Sequence, residues 1–180
     1  MSIPSIFAII HAAGYLADSI FIGLKFIVPV VFLLIIFKVK SGKANFVSLV
    51  LAANILLLAA GILFLVTIIA NTWLAWNSGN EFERDFIISI ATGPNWYQIM
   101  IPVFVYGILP QAMWFAKLRR TIFSSLILII LWFASYFMVA YLSHVPIRFD
   151  FLSAEYAEKT ALFIGLLAVL YFIIRSRSKE

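Results

Sequence analysis

Long apolar runs separated by short polar stretches dominate the hydrophobic pattern of this chain. About 20 apolar residues suffice for an α-helix to cross the hydrocarbon core of a bilayer, so runs of this length predict transmembrane helices. Five runs approach or exceed it: 19–37, 45–72, 95–116, 121–143 and 160–174. The second is long enough for a tilted helix or one that extends beyond the membrane. The fifth is short, which predicts that Glu158 and Lys159 lie near the interface.

Two shorter segments predict additional helices. Residues 3–17 are apolar but too short to cross, and Gly14 interrupts them, so they predict an N-terminal interfacial helix. Residues 81–91 predict a short amphipathic helix on the outer surface, since four apolar side chains share one helical face: Phe82, Phe86, Ile87 and Ile90. The pattern therefore predicts an all-α integral membrane protein: a bundle of about five transmembrane helices with these two extra helices, in a single domain over 1–180.

The composition supports a membrane protein and excludes several kinds of site. The chain is 64% hydrophobic and 12% charged, more apolar than a soluble domain of 180 residues can cover with polar groups. It has no cysteine, which excludes disulfides, thiolate-held iron–sulfur clusters and cysteine nucleophiles. Its two histidines, His11 and His144, are far apart, which argues against bis-histidine haem ligation. We expect no metal site, because there is no zinc motif and the acids that alternate with Phe82 do not form a specific metal-site pattern. We expect no nucleic-acid binding, because the basic residues cluster only on the predicted cytoplasmic side of the spans.

Lysine and arginine are distributed unevenly between the two sides of the predicted bundle. Residues 38–43, residues 117–120 and the C-terminal tail carry three each, whereas the connections on the other side carry only Arg84, Arg148 and Lys159. Because cytoplasmic loops are enriched in these residues, the chain is expected to have its N-terminus outside and its C-terminus in the cytoplasm.

Two ionisable residues in the apolar N-terminal half are candidates for function. Lys25 lies inside the first predicted span. It either snorkels to the outer interface, with Asp18 two turns away on the same face, or is a buried cation that faces a quinone carbonyl or an acid of a partner. His11 is either an interfacial histidine or a proton acceptor or donor for a quinol.

The other polar residues within the spans predict helix contacts. Asn54 and Asn71 differ by about 100° in direction around one helix, so each is expected to make its own interhelical hydrogen bond. Pro102 and Pro110 each remove a backbone donor and bend the third span, and Gln111 is a candidate partner for a freed carbonyl. The bend either serves packing alone or opens a pocket.

Three motifs follow one another between Trp73 and about Met138. They are Trp76-Asn-Ser-Gly-Asn-Glu-Phe-Glu83, Gly93-Pro-Asn-Trp96 and Pro110-Gln-Ala-Met-Trp-Phe-Ala-Lys-Leu-Arg119. In letters, order and spacing this block resembles the polysulfide-reductase membrane-subunit (NrfD-like) family, and most closely the quinol-binding membrane subunits of bacterial alternative complex III. The resemblance implies that the first turn lies outside and the basic turn in the cytoplasm, in agreement with the charge distribution.

The chain departs from this family in two ways. Family members have eight or more spans in two four-helix bundles, and the matched block falls in the second bundle, whereas the quinol site belongs to the first. The family's W-x-E-R pattern after the basic loop is replaced here by Trp132-Phe-Ala-Ser-Tyr136. No quinol-site residue is therefore carried over to this chain.

The resemblance implies an integral membrane subunit of a quinol-linked respiratory electron-transfer complex, located in the bacterial inner membrane beside other membrane and periplasmic subunits. We expect it to form or seal a quinone site or docking surface, to bind no cofactor of its own apart from a candidate quinone, and not to be catalytic alone. The outer-face candidates for quinone access or docking are Trp73, Trp76, Glu81, Glu83, Trp96, Tyr97 and Gln98. The alternatives are a non-catalytic accessory or assembly subunit, and a small transporter or channel component with Lys25, Asn54 and Asn71 along its path.

Overall fold

The computed structural model describes residues 3–37, 43–94, 96–143 and 153–177, and these residues are helical throughout except for short turns. The long helices are α1 (Ile3–Ile36), α2 (Lys43–Asn77), α6 (Ile122–Leu142) and α7 (Ala154–Arg177). Between α2 and α6 come α3 (Glu81–Thr92), α4 (Tyr97–Pro102), a π-helix (Val103–Ile108), a 3₁₀-helix (Leu109–Trp114) and α5 (Ala116–Arg119). Within the described ranges, four helices are long and apolar enough to cross a membrane. The predicted all-α membrane architecture is confirmed to that extent.

The structure corrects two of the predicted boundaries. Residues 3–17 do not form a separate helix, because α1 runs without a break from Ile3 to Ile36. Gly14 lies against α2, where a Cβ would be 3.4 Å from Thr67 Cγ2, so this glycine marks a helix contact rather than a break. Helix α7 begins six residues before the predicted start, at Ala154, and Lys159 lies inside it as a buried residue. The prediction that Lys159 lies near the interface rested on a span that began at residue 160, whereas the helix begins at Ala154.

The helices define two ends of the bundle. At the acidic end, α2 and α6 finish and α3 begins with Glu81 and Glu83. At the basic end, α5 carries Lys117 and Arg119, and α7 finishes with Arg175 and Arg177. Residues 97–114 run from the first end to the second: Gln98 Nε2 donates to Ser143 Oγ after α6, and the turn after α5 is bound by Asn54 of α2. The predicted third span therefore follows the bundle along its length, although it is not one regular α-helix.

Side-chain hydrogen bonds compensate for the missing N–H of Pro110 in 97–114. In the π-helix, Leu109 N–H donates to Phe104 O, and the next bond of that pattern would join residue 110 to Val105. Pro110 has no N–H, and Trp132 Nε1 of α6 donates to Val105 O instead, at 2.9 Å. Gln111 Nε2 donates to Gly107 O at 3.0 Å, which confirms that Gln111 supplies a donor beside Pro110.

Asn54 joins α2 to the basic-end turn between α5 and α6. It is fully buried, its Nδ2 donates to Arg119 O at 2.9 Å and to Thr121 O at 3.2 Å, and its Oδ1 accepts from Ser125 Oγ. The predicted interhelical hydrogen bond of Asn54 is confirmed. The Asn54 side chain thus forms three hydrogen bonds with the segment from Arg119 to Ser125.

We expect Asn54→Leu to lower the free energy of unfolding by about 1–3 kcal/mol, because carbonyls inside the protein lose their donor. Thermal unfolding of the purified protein in detergent would measure the change. Asn77→Leu is the matched control, since the side chain of exposed Asn77 donates to Trp73 O of its own helix and, among the described residues, to no other helix. Equal destabilisation by the two substitutions would contradict the structural role of Asn54.

Candidate functional site

Lys159 is a buried cation held between two helices. It is 7% exposed, its Nζ lies 2.7 Å from Glu155 Oε1 one turn earlier on α7, and 3.3 Å from Asp18 Oδ2 on α1. Its ammonium also lies 5.2 Å from the centroid of the Tyr15 ring. The Asp18 and Glu155 side chains are 60% and 65% exposed, so both acids approach Lys159 from an open side.

Close contact between α1 and α7 brings this cluster together. Phe163 is fully buried, and a Cβ on Gly23 would lie 2.2 Å from its ring carbons, so only a glycine lets the helices approach this closely. Residues four positions apart share one face of a helix, which puts Lys159 on the side of α7 that meets α1. The contact at Gly23 and Phe163 therefore sets the distance between Lys159 and Asp18.

A cavity of about 570 Å³ lies on one side of the cluster, between α1, α2 and α7. We call it the polar cavity, because its walls include His11, Tyr15, Thr67 and Asn71 together with the three charged residues. The hydroxyl oxygen of Thr67 is buried and has no hydrogen-bond partner in the part of the chain that the structure describes. The structure thus brings His11 and Asn71, two of the predicted intramembrane candidates, to one cavity.

A second cavity of about 380 Å³ lies on the other side and shares Asp18, Glu155 and Lys159 as wall residues. We call it the aromatic cavity, since Phe21, Phe64, Tyr106 and Tyr156 line it with Ile22, Pro102 and Lys25. Phe21 meets Tyr106 edge-on at 5.2 Å, and Tyr106 stacks on Trp132 at 5.5 Å. These contacts fix the position of the Tyr106 ring in the wall.

Lys25 enters the aromatic cavity without a carboxylate partner. Its Nζ lies 5.6 Å from the centroid of the Tyr106 ring, and none of the salt bridges between described residues includes it. Asp18, the partner that sequence spacing suggests, is bound by Lys159 instead. The N–H groups of the Lys25 ammonium can therefore donate hydrogen bonds to a molecule in the cavity.

The charged wall residues of the aromatic cavity balance. Lys25 and Lys159 contribute two positive charges, and Asp18 and Glu155 contribute two negative charges. A bound ion would upset this balance beside the buried Lys159, whereas a neutral molecule with hydrogen-bond acceptors would not. The arrangement is therefore best suited to a neutral, partly aromatic ligand.

The remaining sequence candidates lie elsewhere. Asn54 and Gln111 have the structural roles described above. The seven outer-face candidates do not line either cavity; Trp73, Trp76 and Trp96 are 62%, 45% and 51% exposed at the acidic end. Arg84 Nε donates to Trp76 O, and its guanidinium lies 5.3 Å from the Trp76 ring centroid, which fixes α3 to the end of α2. These residues form a surface rather than a pocket.

Sequence reasoning missed the cluster of Asp18, Glu155 and Lys159 and the position of Tyr106. The sequence did contain a signal for the cluster: Asp18 and Lys159 each interrupt an apolar segment, and both lie near the same predicted side of the membrane. Among the described residues, no group of three histidines, cysteines or acids is placed to hold a metal ion. Comparison with family models, curated proteins and solved structures finds no match to this chain.

Proposed function

We propose that this chain is an integral membrane subunit of a quinol-linked respiratory electron-transfer complex, and that its aromatic cavity holds a quinone head group. The observation that carries the proposal is the Lys25 ammonium, which has no ion-pair partner among the described residues and lies beside the Tyr106 ring in that cavity. A quinone head group is a flat, neutral ring with two carbonyl acceptors. The cavity offers aromatic walls to the ring and an ammonium donor to a carbonyl.

The chemistry of Lys25 supports this assignment. A lysine ammonium has three donors and no acceptor. Placing it within a membrane helix is costly, so residues of this kind commonly mark functional sites. The cavity volume of about 380 Å³ is within the range of pockets that bind small molecules. A quinone carbonyl would use the Lys25 donors without altering the charge balance of the four ionisable wall residues.

The proposal includes a topology in which the acidic end faces the periplasm and residues 97–114 form a fifth crossing. Helices α2 and α6 both run from the basic to the acidic end, so the chain must return between them. The 18 residues of 97–114 span about 27 Å at 1.5 Å per residue, close to the hydrocarbon thickness of about 30 Å. With this orientation, the basic residues of α5 and α7 lie in the cytoplasm, as expected from their distribution.

The acidic end is the proposed docking surface for the other subunits. Trp73, Trp76 and Trp96 are exposed there, and Glu81 and Glu83 lie in the first turn of α3. Exposed aromatic residues are typical of both protein interfaces and membrane interfaces. The sequence resemblance over 73–138 supports a partner from a respiratory complex, and the absence of the W-x-E-R pattern favours the accessory role for that surface.

A transporter component is the second candidate, and the ionised cluster of Asp18, Glu155 and Lys159 favours it. Ionisable residues within membrane bundles often lie along ion or proton pathways. The balance of two lysines and two acids is the reason to rank a neutral ligand first.

We expect Lys25→Met to weaken quinone binding about tenfold or more, because a hydrogen bond to a charged group contributes about 1.5–3 kcal/mol. Titration of the purified protein with short-tailed benzoquinones and naphthoquinones would measure binding through quenching of tryptophan fluorescence, since Trp132 stacks on the Tyr106 wall. Lys117→Met, at the basic end, is the control for loss of a lysine. The same affinity in both variants, or no binding of either quinone class by the native chain, would refute the quinone site.

Partnership in a respiratory complex has its own test. Purification of the tagged protein from native membranes in mild detergent, followed by mass spectrometry and absorption spectra, is expected to recover haem-bearing or iron–sulfur subunits with this chain. Recovery of a cofactor-free oligomer of this chain alone would exclude the complex, whatever the outcome of the quinone titration.

A further inference from the structure

We propose that the polar cavity is a water-filled vestibule, and that the ion pair between Lys159 and Asp18 is a removable partition between it and the aromatic cavity. The inference goes beyond the proposed function, because it concerns access of water and does not depend on which ligand occupies the aromatic cavity.

The polar groups of the larger cavity require hydrogen-bond partners. Thr67 Oγ1 is buried and unpaired among the described residues, and a buried polar atom in that state is costly. His11, Asn71 and the Asp18 carboxylate border the same space. A buried water needs two to four polar partners and about 30 Å³, and the cavity volume of about 570 Å³ exceeds that many times. Water satisfies both the polar walls and the volume.

The partition is formed by residues that belong to both cavities. Asp18, Glu155 and Lys159 line each of them. Glu155 is on the same helix as Lys159, so that contact holds the lysine to α7 alone. The salt bridge with Asp18, at 3.3 Å, crosses from α7 to α1, where the ammonium also lies 5.2 Å from the centroid of the Tyr15 ring. Loss of this salt bridge would leave the Lys159 ammonium in contact with α1 through the Tyr15 ring, a weaker interaction, and would let the two spaces join.

Three residues near the ion pair each line one cavity or neither, so they can serve as labelling positions. Ile22 lies one turn after Asp18 on α1, is buried and lines only the aromatic cavity of the two. Thr67 lines only the polar cavity of the two, whereas Val66 beside it is 52% exposed and lines neither. These three positions therefore report on the inner space, the vestibule and the lipid-facing surface, and Thr67 and Val66, as neighbours on α2, lie at similar depth.

Single-cysteine labelling tests the proposal, and the chain needs no prior substitution because it has no cysteine. The probe is a membrane-impermeant trimethylammonium thiosulfonate, applied in turn from each side of sealed vesicles. The cysteine thiolate attacks the sulfur of such a reagent, forming a mixed disulfide and releasing sulfinate, and the thiolate forms in water and not in lipid. We expect Thr67→Cys to react from one side about tenfold faster than Val66→Cys. Equal rates for these two variants would overturn the vestibule.

The partition is tested at the inner position. Ile22→Cys is expected to react slowly in the otherwise native chain, and about tenfold faster when Asp18→Asn is added. Asp85→Asn, which removes an acid from exposed α3, is the matched control and should leave the rate unchanged. An unchanged rate with Asp18→Asn would overturn the partition.

A second substitution guards against misfolding of the first. Lys159→Gln removes the same ion pair from the α7 side and is expected to accelerate labelling of Ile22→Cys to a similar rate. Rates are compared only for protein that elutes as the folded species in size-exclusion chromatography. Acceleration by one substitution and not by the other would also contradict the proposed partition.

Discussion

Replacing Gly23 by alanine is expected to separate α7 from α1 and to lower the free energy of unfolding by more than about 3 kcal/mol, at or beyond the upper end of usual overpacking costs. The new Cβ would lie 2.2 Å from the Phe163 ring and 2.5 Å from the Phe163 Cβ. Rotation of the ring cannot relieve the second overlap, because the Phe163 Cβ is attached to the backbone. The two helices must therefore move apart, and the contact between Lys159 and Asp18 would lengthen with them.

Gly165→Ala on α7 provides the matched control for Gly23→Ala. A Cβ at Gly165 would meet no atom within 4 Å, so alanine there is expected to stabilise the helix by about 0.5–1 kcal/mol. Thermal unfolding in detergent would measure both variants. In a Phe163→Gly background, the additional cost of Gly23→Ala should disappear. Equal melting temperatures for the two alanine variants would show that α1 and α7 are not packed at Gly23.

The sequence predicted correctly that the chain has long apolar helices, because the apolar runs are far longer than chance spacing produces, but it placed the starts of α1 and α7 wrongly. It also predicted that Asn54 and Gln111 would satisfy polar groups between or within helices, since an unpaired amide inside a membrane is costly. Both predictions follow from the free-energy cost of burying a given side chain in a membrane. That cost depends on the residue and on its immediate neighbours in the sequence.

The charged cluster could not be predicted in the same way. Lys159 and Asp18 are 141 positions apart, and their pairing depends on the close approach of α1 and α7 at Gly23. Spacing along α1 instead suggested Asp18 as the partner of Lys25, because seven residues make about two turns. The pattern showed which residues needed partners, but the packing of distant helices decided which partners they received.

Pro102 and Pro110 likewise show what the sequence predicted and what it left open. Their sequence positions predicted a bend in 97–114, and both a packing role and a pocket remained open. In the structure, Pro102 and Tyr106 line the aromatic cavity, while Pro110 packs against Gly61 of α2. The segment that holds the two prolines therefore contributes both to a cavity and to helix packing. The carbonyl of Val105 in the π-helix is satisfied by Trp132, which lies on another helix.

Trp132→Ala is the second substitution with a large expected effect, about 3–5 kcal/mol from loss of a buried aromatic side chain. The Trp132 side chain is 1% exposed, stacks on Tyr106, and meets Phe21 edge-on at 5.0 Å. The substitution also leaves Val105 O without the donor that replaces the missing N–H of Pro110. We therefore expect both a lower melting temperature and loss of the Tyr106 wall of the aromatic cavity.

Trp132→Phe separates the two contributions. The smaller ring retains much of the aromatic packing but cannot donate to Val105 O, so the expected loss is about 1–3 kcal/mol, the cost of an unsatisfied buried acceptor. Trp114→Phe is the control, because Trp114 is 64% exposed and its Nε1 donates to Gln111 at the surface of the bundle. That control should cost under about 1 kcal/mol, as is usual for exposed positions. Thermal unfolding of the three variants would measure their stability, and we expect Trp132→Ala to be the least stable, Trp132→Phe to be intermediate and Trp114→Phe to be the most stable. Equal stability of Trp132→Phe and Trp114→Phe would show that Val105 O does not depend on the indole. The π-helix would then be held by packing alone.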